Sequence, residues 1–183
     1  MKKILKIFIL INILPLLLCL GLRIKSEIKN RIFTIAVKED NFIYAIVESN
    51  KKIISFGGIL KKRNTKGISG IYIFPDEIMV NPGKVYELLK LYKLPVILLE
   101  RIRPPDPGEL PTYYSDLPLL RGHLIPDDEA VKLSERKKLL RYRRAIIERG
   151  VKIILLPKNN EYVKTKLAPL CKGYKISNSL NTE

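Results

Sequence analysis

The apolar run Val96-Ile97-Leu98-Leu99 ends on a carboxylate, Glu100, and leads into a loop that holds five prolines between positions 104 and 118. A charge closing so apolar a stretch has two readings. It is a solvated stop where a strand leaves the core, paired with Arg101 or Arg103, or it is a group placed for chemistry. The other chemically able residues fall mainly into basic clusters. The segment 127–149 carries Arg136, Lys137, Lys138, Arg141, Arg143, Arg144 and Arg149 around an apolar stripe of Val131, Leu139, Tyr142 and Ile146. That density suits phosphate contacts, which give affinity without sequence choice, and it equally suits an anionic bilayer. A solvated helix face, partly neutralised by Glu135 and Glu148, is the plainer account. Lys61, Lys62, Arg63 and Lys66 form a second basic cluster. Tyr113 and Tyr114 could stack on bases or pack their loop onto the body. His123 has no nucleophile or ligand partner nearby in sequence, and Gly57-Gly58 lacks the rest of a phosphate-loop pattern. Neither a hydrolase elbow nor a zinc signature is present.

Elements must bring these groups together. From Ile32 the pattern has period two, predicting strands over 32–38, 42–48 and 52–60 separated by turns at Glu39-Asp40-Asn41 and Ser49-Asn50. Three such strands in succession form an antiparallel meander. Asn81 as cap, Pro82 at the first position, and Val85, Leu88, Leu89 and Tyr92 at helical spacing predict a helix that ends before Pro95. A strand over 95–100 follows, apolar on both faces, as a central strand covered by helices would be. Pro126 and Asp127 or Asp128 open a second helix, which Gly150 stops after Arg149. Residues 151–157 read as another apolar strand, and Asn159 or Asn160 caps a last helix carrying Val163, Leu167 and Leu170. Crossover helices make the later strands parallel, so the expected architecture is an α/β body with a mixed sheet.

Composition bounds the partners. With 46% hydrophobic and 28% charged residues the chain can bury a core. Its net charge of +16 favours an anionic partner, nucleic acid or acidic lipid; a Lys- and Ile-rich composition with few acids is the other source of such a balance. Cys19 and Cys171 lie too far apart in sequence to read as a disulfide framework or zinc cluster. Residues 4–22 are apolar apart from Lys6 and Asn12, with Lys2 and Lys3 before them and Arg23 and Lys25 after. They read as a hydrophobic helix, either an uncleaved membrane anchor, a signal peptide, or the leader of a soluble protein. The distribution of basic residues gives a slight bias towards a cytoplasmic body. The expected organisation is thus a hydrophobic segment and linker over 1–30, a domain over 31–175 and a tail over 176–183.

VILLE at 96–100 and IAVKEDNFIYAIVE at 35–48 resemble, respectively, the glutamate-ending strand and the first hairpin of RuvC-like Holliday-junction resolvases. The order of elements over about 32–170 is similar to the ribonuclease H-like fold. The resemblance implies a nucleic-acid-binding protein, a divalent-metal-dependent endonuclease acting on DNA, in which carboxylates converge on two Mg²⁺ or Mn²⁺ ions to stabilise the entering and leaving oxygens. Carried over residue by residue, Glu100 matches the family's strand-end glutamate. The family's first-strand aspartate falls on Ala36 or Val37, with Asp40 the nearest acid and Glu39 beside it, and Glu161 is the remaining candidate ligand near the last helix. Lys61, Lys62, Arg63, Arg136, Lys137, Arg141 and Arg144 would then hold nucleic acid. Glu100 is a metal ligand if Asp40 or Glu39 lies within reach, and a solvated strand end otherwise. The alternative is a membrane-anchored, non-enzymatic protein whose basic surface meets anionic lipid or a protein partner.

Overall fold

The computed structural model describes residues 31–61, 66–100, 112–158 and 160–180. In chain order these form β1 (Ile32–Lys38), β2 (Ile43–Ile46), β3 (Lys52–Ser55), α1 (Phe56–Lys61), β4 (Ile68–Ile73), α2 (Pro75–Val80) and α3 (Pro82–Tyr92). They continue with β5 (Val96–Glu100), a 3₁₀ turn (Thr112–Asp116), β6 (Leu119–Leu124), α4 (Asp127–Ala130), α5 (Glu135–Arg149), β7 (Ile153–Leu156), α6 (Glu161–Leu170) and β8 (Lys175–Ser177). Residues 33–183 group as one compact unit.

Local chemistry explains the boundaries. The Asn81 side chain accepts from the Lys84 amide at the start of α3, and Lys93 ends that helix in the left-handed region. Ser134 accepts from the Lys137 amide, so α5 begins afresh there and does not continue α4; Gly150, at φ 67°, stops it. The third strand is shorter than the alternation predicts. Ser55 Oγ accepts from the Gly58 amide at 2.9 Å, turning residues 56–61 into α1.

The open ribonuclease H-like sheet does not form. β1 pairs with β2 in antiparallel register, Ala36 opposite Ile46, and with β7 in parallel register, Val37 opposite Leu156. Those two pairings close a ring in the order β2-β3-β4-β5-β6-β7-β1, seven strands in a barrel, with β8 placed beside β1. The strand that makes closure possible is β6, which lies in a stretch with no apolar run and pairs in parallel with both β5 and β7. An RuvC-like arrangement needs an open sheet, so the nuclease reading loses the scaffold on which it was based.

Alternation around the ring separates two environments. Ala36, Ile53, Ile97, Leu99, Ile153 and Leu155 belong to the cluster that fills the barrel. Phe33, Ile35, Ile154 and Leu156 pack outward against α5 and α6, and Ile71, Ile73 and Val96 pack outward against α2 and α3. Gly122 allows the barrel to be this narrow: a Cβ there would lie 2.5 Å from Ile97 Cγ2 and 2.7 Å from Leu99 Cδ2. Among the described residues no helix is long and apolar enough to cross a membrane. The hydrophobic helix expected over residues 4–22 lies outside the described residues.

Candidate functional site

Because Ile97 and Leu99 point into the barrel, Glu100 points out of it, towards the helical layer. It is only 3% exposed. Arg149, in the last turn of α5, brings Nη1 to 2.8 Å from Oε2, and Arg121, on β6, brings Nη2 to 3.1 Å from Oε1. Arg121 also donates through Nη1 to the Arg149 carbonyl at 2.9 Å, tying the end of α5 to the sheet. His123 is opposite Glu100 in the β5–β6 register, with Nδ1 4.0 Å from Oε2. Charge proximity here is not accompanied by hydrogen-bond directionality: neither Glu100 oxygen nor either His123 nitrogen has a well-aimed hydrogen-bond partner among the described residues. Burial pushes the Glu100 carboxyl up from its ordinary range, while Arg149 and then Arg121 pull it back. Burial, assisted by Arg149 and Arg141, depresses His123 to about 3, so its imidazole is neutral, edge-on to the Tyr142 ring at 5.7 Å.

This is an anion already held by two cations. A divalent ion entering beside Glu100 would meet both guanidinium groups, and the Coulomb repulsion in a poorly solvated site is severe. The remaining carboxylates named as ligands are engaged separately. Asp40 accepts from the amides of Phe42 and Ile43 at 2.7 and 2.8 Å, holding its own turn. Glu39 pairs with Lys52 at 2.7 Å, and Glu161, in the first turn of α6, with Lys164 at 3.4 Å. Among the described residues no group of three or more His, Cys, Asp or Glu side chains could hold a metal ion.

The basic residues named from sequence divide by role. Arg141 is paired with Glu129, and Lys61 lies 4.9 Å above the Phe42 ring. Lys62 and Arg63 lie outside the described residues. Arg136, Lys137 and Arg144 are exposed on α5. Helical spacing puts Arg136, Leu140, Arg144 and Ile147 on one stripe, and Leu140 and Ile147 are 42% and 37% exposed. Beside this stripe α5 and α6 leave a groove of about 450 Å³, lined by Leu140, Arg143, Ile147, Pro169, Leu170 and Lys172. Arg143 donates through Nε to the Leu170 carbonyl at 3.3 Å, satisfying the end of α6. Tyr114 is buried and donates to the Pro82 carbonyl at 2.8 Å, so it packs its turn against α3 and is not offered to a base.

Sequence reasoning passed over a second polar cluster. β3 to β7 and β1 run parallel, and their carboxyl ends share one mouth, where closed α/β barrels carry their chemistry. Lys38 closes β1 there, its Nζ 2.6 Å from Asp127 Oδ2. Tyr44, in register with Lys38, meets Tyr72 edge to face at 5.5 Å. Burial is the main cause that keeps both phenols protonated; for Tyr44 the nearby Tyr72 and Asp127 add to it, and for Tyr72 a hydrogen bond with Ser55 opposes it. The available signal was the alternation placing Lys38 on the side of Ala36, which has no meaning until the barrel is known to close.

No protein-family model, curated protein or solved structure matches this chain.

Proposed function

We propose that this protein works at an anionic membrane surface, with α5 turned towards the lipid headgroups. The observation that supports this best is the exposed stripe Arg136, Leu140, Arg144, Ile147, in which cations alternate with aliphatic side chains. A duplex would engage the arginines through its phosphates but would leave Leu140 and Ile147 in water; a bilayer interface accepts both kinds of group. The apolar residues 4–22, bounded by lysines and arginines, add a second lipid-directed signal in the sequence. Two signals matter because one alone gives marginal, reversible attachment. Each cation near an anionic surface contributes about 1 kcal/mol, so Arg136, Lys137 and Arg144 together supply about 3 kcal/mol.

The test is co-sedimentation of the full chain with phosphatidylglycerol vesicles and with phosphatidylcholine vesicles, each repeated with duplex DNA as competitor. Preference for phosphatidylglycerol that fades with salt and survives an equal charge concentration of DNA is the expected result. Equal binding to the two lipids, or DNA displacing the chain from phosphatidylglycerol, would overturn the proposal.

A further inference from the structure

We infer that the α5–α6 groove seats the glycerol and upper acyl region of an anionic phospholipid, with Arg143 and Lys172 at its rim on the phosphate; this rests on the membrane-surface reading above and deepens it.

Several independent features converge on that occupant. The groove's 450 Å³ lies within the range of small-molecule sites, about 300 to 1,000 Å³. Its lining is aliphatic, with Leu140, Ile147 and Leu170 left 37 to 42% exposed by the packing of the two helices. Exposed apolar side chains scattered singly need no explanation, but a contiguous set rimmed by polar groups marks a contact surface. Here the rim is cationic on both helices' sides: Arg143 from α5 and Lys172 just beyond α6. Arg143 spends its Nε on the Leu170 carbonyl and has four further N–H donors for an anion. An apolar floor under a cationic rim complements a molecule that is anionic at its head and hydrocarbon below. Arg136 and Arg144 continue along the same face of α5, so a lipid in the groove would have anionic neighbours in the same leaflet to meet them. An acidic amphipathic peptide is the competing occupant; a groove built for it would leave reporters there unquenched by brominated lipid.

The chain has no tryptophan, so a single substitution reports on its own surroundings. Leu140→Trp and Ile147→Trp place a reporter in the groove; Leu91→Trp, on α3 at a position 72% exposed, serves as the reference. Each full-length variant is mixed with phosphatidylglycerol vesicles whose acyl chains are brominated near the glycerol, and with unbrominated vesicles. The expected result is a blue shift and loss of emission by bromine at 140 and 147, with neither at 91. Co-sedimentation on the same samples separates the two claims. Vesicles that carry the chain down while the groove reporters stay water-like and unquenched would overturn the groove assignment and the orientation of α5 towards the lipid, leaving attachment to the membrane standing. Failure to sediment would overturn the membrane reading and the groove with it. Equal quenching at 91 would also overturn the assignment, because contact would then not be localised.

Discussion

His123 gives the most quantitative expectation. It is 1% exposed, its nitrogens have no aimed hydrogen-bond partner among the described residues, and it is neutral in the fold with its titration depressed from 6.5 to about 3. A histidine whose folded value is lowered contributes stability that is complete above pH 6.5 and is lost as pH falls towards 3. Between pH 7 and pH 5 the unfolded chain gains a proton at this site that the fold refuses, a loss on the order of 2 kcal/mol; carried to pH 3 it reaches about 4 kcal/mol. The chain holds no other histidine, so the slope above pH 5 is little confused by other side chains. Glu100 is the exception and acts in the opposite sense. Its raised value contributes stability present at low pH that is lost as pH rises, so its contribution partly masks the histidine. His123→Phe keeps the edge contact with Tyr142 and removes the proton site. Urea unfolding of wild type and variant at half-unit steps from pH 7.5 to 5, with Glu100→Gln and the double variant alongside, measures the difference in slope. The wild type should lose about 2 kcal/mol more than His123→Phe over pH 7 to 5. Parallel curves for the two would refute the burial and neutrality of this imidazole.

Two other substitutions probe the frame around that cluster. Gly122→Ala forces a methyl against Ile97 and Leu99 inside the barrel and should cost about 1 to 3 kcal/mol in urea unfolding, whereas a neutral effect would place residue 122 elsewhere. Magnesium should shift the thermal midpoint of wild type and Glu100→Gln equally, because Arg121 and Arg149 already hold the carboxylate; a shift confined to wild type would revive a metal there.

Much of the framework was legible locally. Asn81-Pro82 and Gly150 mark real helix ends because capping chemistry is contained within a few residues. The apolar strands at 96–100 and 153–156 were visible because both their faces are covered. β6 was not, since Arg121, exposed, and His123, buried, occupy its outer side and break the apolar run that identifies an internal strand. Phe56 to Leu60 looked like more strand, yet Ser55 caps a helix there. Barrel closure had no local signal at all, because β1 meets β7 across most of the chain. Glu100 illustrates the same limit for the site. Its position at a strand end was readable, but the arginine that neutralises it comes from the far end of α5, and nothing adjacent to residue 100 announces that contact. The resemblance to a nuclease strand followed from a short motif, and the open-sheet fold it implied does not form, because β1 pairs with both β2 and β7.

The most direct measurement is the preference of the full chain for phosphatidylglycerol over phosphatidylcholine vesicles, with and without the double substitution Arg136→Gln and Arg144→Gln. Using the ratio between lipids cancels whatever residues 4–22 contribute to both. Loss of two interfacial charges should lower that ratio by roughly 30-fold, from about 2 kcal/mol. A ratio unchanged by the substitution would show that α5 does not face the lipid.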